Sequence, residues 1–285
     1  SDSLRDEDDI EETAHIEPID LPVLHQHPAV GDEAELHAGA AQPVQSPVRV
    51  WSRHADLGKV RLEVIVQARR RSPGQFEVTV QHVDGPGLAC DHAVLLKRAV
   101  KAAASRNGLG ATFMAKPFAE TAGSGLHLHI SLLDESGDNV FAGKSRDGAF
   151  SDRLRHAVGG LAAMMKESMA IFAPNGNSYR RHAPGSFVPA TPSWGTNHRS
   201  VAMRIPLSAP ANKRIEHRIA GADANPYLVV AAVLAGIHHG ISTQCEPPPV
   251  TPEGTEIDYQ VTVPIRWPQS LDAFDAGSLL PQYLG

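Results

Sequence analysis

Residues 123–132 read GSGLHLHISL, and this stretch carries the strongest structural signal in the chain. Apolar and polar residues alternate strictly from 126 to 132, which predicts a β-strand with one buried face. The apolar face carries Leu126, Leu128, Ile130 and Leu132, and the polar face carries His127, His129 and Ser131. Two imidazoles and a hydroxyl on one strand face favour a polar binding site, and the alternative is a pair of solvent-exposed histidines without a function.

Composition excludes several classes of protein. The 285 residues carry a net charge of -6, which argues against a nucleic-acid-binding protein. No apolar run reaches the ~18–20 residues that a membrane span needs. Cys90 and Cys245 are not spaced as metal ligands or as a redox pair, so we expect a reducing, cytoplasmic location.

The first 71 residues differ from the rest of the chain. Residues 1–46 contain twelve acidic residues and one basic residue, Arg5, with no Phe, Tyr or Trp. Such a composition cannot bury enough apolar surface to offset the entropy of ordering, so it predicts disorder. Residues 47–71 are basic, and their only extended-looking run is 59–66. We therefore predict two regions, a disordered or unrelated segment at 1–71 and a folded domain at 72–285.

Periodicity after residue 72 predicts a mixture of strands and helices. Strands are expected at 76–82, 126–132 and 213–219. Helices are expected from Asp91 to about Arg106, over about 153–172, and from Asp223, followed by Pro226, to about Gly240. Because strands and helices do not alternate in a βαβ order, the fold class predicted is α+β.

A second polar strand face occurs at 213–219. Arg214, Glu216 and Arg218 share one face of this strand. The arrangement is either a structural ladder of ion pairs or a site in which the carboxylate holds a divalent cation and the guanidinium groups hold phosphate. With further arginines in 180–181 and 199–204, the pattern favours an anionic, phosphate-bearing substrate together with Mg²⁺ or Mn²⁺.

Several of these motifs also carry a family resemblance. They are PGQFE at 73–77, ATFMAKP at 111–117, GSGLHLH at 123–129, NSYRR at 177–181, NHRSVAMRIP at 197–206, RIE at 214–216 and NPY at 225–227. In this order they resemble the catalytic domain of glutamine synthetase. The resemblance implies an antiparallel sheet with flanking helices, here incomplete, so 72–285 is expected to form a partial catalytic domain.

The resemblance assigns roles to individual residues. Metal ligands would be Glu77, His127 and Glu216. Nucleotide contacts would be His129, Ser131, Arg204 and Arg214. Substrate contacts would be Gly123, Arg181, Arg199 and Arg218. Arg199 and Arg204 would also act in catalysis by neutralising the transferred phosphate.

The implied reaction is the joining of glutamate to an amine. ATP would phosphorylate the γ-carboxylate with the help of Mg²⁺ or Mn²⁺, and an amine would then attack the acyl phosphate, within a homo-oligomeric ring. Phe187 stands where glutamine synthetases carry a flap glutamate that serves ammonium. Trp194 and Gly195 look like the γ-glutamylpolyamine synthetase branch, and together with Phe187 this resemblance predicts an amine larger than ammonia.

The chain departs from the family pattern at both ends. The only counterpart of a Glu-x-Glu ligand pair is Glu33 and Glu35, which lack apolar flanks, and arginines occupy 69–71, where another metal-ligating Glu is expected. The chain also stops at Gly285, before the last helices of the family are expected to finish. The alternative is therefore a truncated homologue, catalytically inactive, with a structural or interaction role.

Overall fold

The computed structural model describes residues 59–67, 75–143, 150–183, 186, 188–255 and 260–285, of which 59–67 are described by their backbone. These residues belong to one compact unit, Pro47–Gly285. The elements follow in the order β1 (Lys59–Gln67), β2 (Val78–Thr79), β3 (Val83–Asp84), α1 (Pro86–Arg106), β4 (Gly125–Leu133), α2 (Asp152–Phe172), β5 (Trp194–Thr196), β6 (Met203–Ile205), β7 (Ile215–His217), α3 (Pro226–Thr243), α4 (Trp267–Asp275) and α5 (Pro281–Leu284). Among the described residues, 3-10 helices lie at Ser178–Arg181 and Pro210–Asn212.

In the described part of the chain, seven strands form one sheet with the order β2-β1-β4-β7-β6-β5, and β3 also pairs with β1. The pairs that involve β1, β4 and β7 are antiparallel, whereas β5 and β6 run parallel. Helices α2 and α3 pack against each other beside this sheet. The α+β class is confirmed, and the prediction of an antiparallel sheet holds for all pairs except β5 with β6.

Strand β4 lies at the centre of the sheet and matches the prediction for 126–132. Its apolar residues Leu126, Leu128 and Ile130 are fully buried in the core beside the helices. His127 and His129 are each only 6% exposed, so the alternative of two solvent-exposed histidines is wrong. The sheet therefore has one face covered by helices and a second face on which buried polar groups meet.

The predicted helix starts need correction at two places. Helix α1 begins at Pro86 rather than at Asp91, because a proline in the first turn lacks only an N–H that would have no helical partner. Helix α3 is capped by Asn225, whose side chain accepts hydrogen bonds from the first turn, and not by Asp223. Helix α2 runs over Asp152–Phe172 and so matches the helix predicted over about 153–172. Its first turn is capped by the Ser151 hydroxyl, which accepts from the Leu154 amide at 3.1 Å.

Helices α2 and α3 approach closely because glycines line their crossing. A Cβ placed on Gly160 would lie 2.0 Å from the carbonyl oxygen of Gly236, and one on Gly240 would lie 2.0 Å from the carbonyl oxygen of His156. Helix α3 is long and apolar enough to cross a membrane by length and composition, but 56% of it is buried inside the protein. Burial of this extent is typical of a core helix, and core helices often have the length and hydropathy of a membrane span.

Two predicted strands are shorter than expected. The run 76–82 contributes only Val78–Thr79, and 213–219 contributes Ile215–His217. The run 59–66 does form a strand, β1, which pairs with β4 along its whole length. Part of the segment before Ser72 thus belongs to the sheet. The predicted boundary at 72 and the disorder predicted for 1–46 lie outside the described residues.

Candidate active site

The polar face of the sheet is assembled by pairing three strands. His129 on β4 is in register with Glu216 on β7, which is in turn in register with Arg204 on β6. Cross-strand partners share one face of a sheet, so these three side chains form a row on the face opposite the helices. Residues far apart in sequence therefore meet around the carboxylate of Glu216.

Glu216 is the centre of this group and is only 1% exposed. Its Oε2 accepts a hydrogen bond from Arg204 at 2.7 Å, and its Oε1 accepts one from Arg218. The Nδ1 of His127 lies 3.3 Å from Oε1, and the Nε2 of His129 lies 3.9 Å from Oε2. Two guanidinium groups and two imidazoles thus surround one buried carboxylate.

The electrostatic balance keeps Glu216 ionised. Burial on its own raises the pKa of this carboxyl, but the hydrogen bond from His127 and the charge of Arg218 lower it more, so the pKa falls well below its usual range. Burial lowers the pKa of His127 to about 4 and that of His129 to about 3. Both imidazoles are therefore neutral at pH 7, and the group carries one negative charge among several positive ones.

Hydrogen bonding determines which nitrogen of His129 carries the proton. The Nε of Arg214 donates to its Nδ1 at 2.9 Å, so the neutral ring is protonated on Nε2. This Nε2 is buried and has no hydrogen-bond partner in the part of the chain that the structure describes. His129 therefore presents an N–H donor, which is suited to an anion.

Arg181 lies next to this group, under a glycine-rich strand entry. It is 5% exposed, and its guanidinium donates to the carbonyl of Ile219 at 3.1 Å. A Cβ on Gly123 would lie 2.8 Å from Arg181 Cγ, and one on Gly125 would lie 2.8 Å from Arg181 Nη2. Both glycines are needed because the chain passes directly over the arginine side chain.

The structure brings most of the predicted site residues together, but not all of them. The residues that meet around Glu216 are His127, His129, Arg204, Arg214 and Arg218. Arg199 is exposed but close enough for its charge to affect Arg218. Ser131 donates its hydroxyl hydrogen to the Lys213 carbonyl at 3.0 Å. Glu77 precedes β2, which is separated from β4 by β1.

A divalent cation fits the described residues poorly. Both carboxylate oxygens of Glu216 are engaged by guanidinium groups, and a dication would be repelled by the surrounding arginines. Among the described residues there is no group of three or more His, Cys, Asp or Glu side chains that could hold a metal ion. The metal roles of Glu77, His127 and Glu216 therefore stay predictions, and Glu33, Glu35 and the arginines at 69–71 lie outside the described residues.

Sequence reasoning missed Asn197 at this site and did not predict which residue of β1 pairs with His129. Asn197 has a positive φ of 51° and accepts at its Oδ1 from Arg204, at 3.5 Å, and from the Leu207 amide, at 3.0 Å. An asparagine before His-Arg was a signal for such a turn, because Asn tolerates this conformation. The backbone of Glu63 on β1 is in register with His129. This register follows from the pairing of β1 with β4, which no local sequence pattern predicts.

Comparison with known proteins identifies the family. The catalytic-domain family of glutamine synthetase matches residues 42–285, more than half of the chain. The chain belongs to the glutamine synthetase family. Its match begins before Ser72, and so includes β1 as well as the motifs from 73 onward.

Relatives in the glutamine synthetase family include several that are named for amines other than ammonia. The chain is 46% identical over 215 residues to γ-glutamylputrescine synthetase PuuA of Escherichia coli, covering 75% of the chain and 45% of that protein. It is 38% identical over 214 residues to glutamate–isopropylamine ligase of a Pseudomonas species, covering 74% and 45%. It is 37% identical over 221 residues to γ-glutamylethanolamide synthetase GlnA4 of Streptomyces coelicolor, covering 78% and 46%. The chain thus spans less than half the length of these relatives.

Solved structures give the same fold. A ligand-free GmaS structure superposes with a TM-score of 0.70 at 26% identity, covering 83% of this chain and 68% of that one. A GmaS/ADP complex superposes equally well, at 27% identity and with the same coverage. The glutamine synthetase fold expected from the motifs is therefore confirmed.

Proposed function

We propose that this chain carries the site of an ATP-dependent ligase that joins the γ-carboxylate of glutamate to an amine through an acyl phosphate. The observation that carries the proposal is the convergence of Arg204, Arg214 and Arg218 on the buried row of His129 and Glu216. The relatives named as γ-glutamylputrescine synthetase, glutamate–isopropylamine ligase and γ-glutamylethanolamide synthetase support the same reaction class.

The arginines suit phosphoryl transfer. Transfer of a phosphoryl group spreads negative charge over its oxygens, and fixed donors that face this charge lower the barrier. Arg204 is held by Glu216 and Asn197, and Arg214 by His129, so neither guanidinium needs to reorganise. Together with the N–H of His129, they would hold the ATP phosphates. Arg199, exposed at the edge, would add charge neutralisation.

Glutamate would lie against the other end of the same face. Arg181 and Arg218 are the guanidinium groups proposed for its carboxylate, and Gly123, which packs on the Arg181 side chain, would contact the amino acid through its backbone. Burial lowers the pKa of Arg181 to about 10, yet this arginine remains charged at neutral pH. The γ-carboxylate would then extend toward Arg204 and the transferred phosphoryl group.

The amine is proposed to be larger than ammonia. This proposal rests on Phe187, which lies outside the described residues. It is supported by the apolar side chain of Phe187 and by the amines named in the relatives. A phenyl ring cannot deprotonate ammonium, but it can line a channel for an alkyl amine. Ammonia is the alternative acceptor.

An activity assay tests the reaction. Phosphate release from ATP would be measured for the full chain with glutamate and, separately, putrescine, ethanolamine, isopropylamine or ammonium. We expect release that depends on an alkyl amine and that is abolished in Arg204→Gln but not in Arg98→Gln, a matched change on the exposed face of α1. Stimulation by ammonium alone would overturn the amine assignment.

The inactive homologue remains the second candidate. The ion pairs that occupy both oxygens of Glu216 favour it, because they leave the carboxylate unavailable to a cation. A chain that shows no thermal stabilisation by ADP or by a non-hydrolysable ATP analogue would support this candidate, because any ligand that binds the native state must raise its stability.

We extend the proposal to assembly and location. The family resemblance implies a homo-oligomeric ring in the cytoplasm, with active sites between subunits. Native mass spectrometry of the full chain would show a ring as a single large species, and a monomer at micromolar concentration would contradict it.

A further inference from the structure

The carboxylate of Asp223 joins two segments that are distant in sequence. Asp223 lies between β7 and α3, and its Oδ2 accepts hydrogen bonds from Asn175 Nδ2 at 2.8 Å and from the Ser178 hydroxyl at 2.7 Å. Neither donor belongs to the helix that Asp223 was expected to cap. Asp223 therefore serves the segment after α2 rather than the start of α3.

That segment is the 3-10 helix that carries Arg181. Ser178 is its first residue and Arg181 its last. The Oδ1 of Asn175 accepts from the amides of Asn177, at 2.9 Å, and Ser178, at 3.3 Å. The side chain of Asn175 thus links the carboxylate of Asp223 to the first turn of the helix. Through these bonds Asp223 fixes the helix at the end opposite Arg181.

The second carboxylate oxygen lies near Arg181, on the other side of Gly221. A Cβ on Gly221 would lie 2.3 Å from Asp223 Oδ1 and 3.5 Å from Arg181 Nη1, so the glycine sits between the two groups. Oδ1 is buried and has no hydrogen-bond partner among the described residues. Burial lowers the pKa of Arg181, and the charge of Asp223 opposes that shift. The carboxylate thereby helps to keep the buried guanidinium charged.

Helix α1 holds the backbone on both sides of Asp223. The ammonium group of Lys97 donates to the carbonyl of Ala222 at 2.6 Å and to that of Ala224 at 3.4 Å. A connecting loop is usually mobile, but here the residues flanking Asp223 are fixed from outside. Because its backbone is held in this way, the carboxylate of Asp223 can hold another element in position.

We propose that Asp223 is a positioning residue that holds the Ser178–Arg181 helix so that Arg181 presents its guanidinium to the carboxylate of the amino-acid substrate. The substrate part of this inference rests on the proposed function, whereas the positioning part does not. Asp223 touches neither nucleotide nor substrate in this scheme and acts only through Arg181.

The test compares Asp223→Ala and Asp223→Asn with Asp91→Asn in the full chain. Asp91 is a matched control because its carboxylate also accepts a side-chain hydrogen bond, from Tyr227, but on the exposed face of α1. The first readout is phenylglyoxal modification of Arg181 relative to the exposed Arg180, measured by peptide mass spectrometry. The second is the affinity for glutamate and, separately, for an ATP analogue, measured by calorimetry.

We expect the ratio of Arg181 to Arg180 modification to rise about tenfold in Asp223→Ala and to stay at the wild-type value in Asp91→Asn, because two hydrogen bonds to a charged group are lost. Glutamate affinity should fall by a similar factor while nucleotide affinity is unchanged. An unchanged modification ratio, or an equal loss of both affinities, would overturn the inference.

Two further results separate the inference from the proposed function. Wild-type protein that does not bind glutamate overturns the proposed function, whereas a raised modification ratio in the variants still supports positioning by Asp223. If Asp223→Ala does not fold, as judged by circular dichroism, Ser178→Ala removes one of the two hydrogen bonds. A smaller rise in the ratio is then expected, and no rise contradicts the inference.

Discussion

Glu216 and Arg204 face each other across β7 and β6, with 2.7 Å between Oε2 and the guanidinium nitrogen. This pair lies on the polar face of a sheet whose other face is the hydrophobic core. A buried ion pair adds little stability compared with an apolar pair of the same size, but a buried charge that has lost its partner is costly. Substitutions at this pair therefore test both the fold and the site.

Replacement of Glu216 by glutamine should destabilise the protein by about 3 kcal/mol, because Arg204 and Arg218 would keep their charges without a counter-charge. Urea unfolding followed by circular dichroism measures the change. Glu246→Gln is the matched control, since that carboxylate pairs with Arg155 but is 59% exposed and should contribute less than about 1 kcal/mol. Equal losses in the two variants would contradict the role of burial.

Stability should fall as the pH is lowered from about 6.5 toward 4. Burial lowers the pKa of His127 to about 4 and of His129, His182 and His217 to about 3, so the native state binds fewer protons than the unfolded state over this range. Stability therefore rises with pH and is fully present above the unfolded-state value of 6.5. The lowered pKa of Glu216 acts in the same direction at still lower pH. Thermal unfolding at several pH values measures this change, and a melting temperature that is the same at pH 7 and pH 5 would contradict the prediction.

His217→Leu should stabilise the protein by about 1 kcal/mol, because both ring nitrogens of His217 are buried without a hydrogen-bond partner among the described residues. The ring packs on Phe172 with 4.7 Å between centroids, so an apolar side chain suits the site. The same variant should also show a weaker fall in stability between pH 6 and pH 5. Destabilisation by leucine would indicate that the imidazole has a polar partner in solution.

Gly160→Ala should destabilise the protein by about 2 kcal/mol or more, because the added methyl group would overlap the backbone of α3 at Gly236. Gly87→Ala is the control, since nothing lies within 4 Å of a Cβ at that position in the first turn of α1. Thermal unfolding of the two variants measures the difference. A similar melting temperature for both would show that α2 and α3 can separate without cost.

Arg214→Gln should weaken binding of ADP or an ATP analogue about tenfold, equivalent to about 1.4 kcal/mol, because it removes a charge that His129 holds in place. Calorimetry measures this affinity, and an unchanged affinity would contradict the prediction.

Mn²⁺ without nucleotide should give little thermal stabilisation, since the arginines around Glu216 repel a cation. A thermal-shift titration with Mn²⁺ measures this effect. Strong stabilisation by Mn²⁺ alone would show that the arginines move aside for a metal ion.

The patterns that extend over many residues predicted structure well. Strict alternation over 126–132 identified β4, and the apolar spacing over 153–172 identified α2, because one periodicity is sampled many times in each. The end of an element depends on one or two residues, which explains why Pro86 and Asn225, rather than Asp91 and Asp223, mark the helix starts. Short strands such as β7 exist through pairing with neighbours, so their length was not predictable from local sequence.

For the candidate site, the amino-acid types and the family motifs predicted most of the residues that meet on the polar face of the sheet, although their roles in binding stay predictions. Their mutual arrangement depends on the register of β4, β7 and β6, which joins residues from distant parts of the chain. Only the folded sheet shows that both oxygens of Glu216 pair with arginines, and that β1 lies between β4 and the strand that follows Glu77. The contacts of Asp223 with Asn175 and Ser178 are likewise invisible in the sequence, because hydrogen bonds between distant segments follow from tertiary packing and leave no periodic pattern.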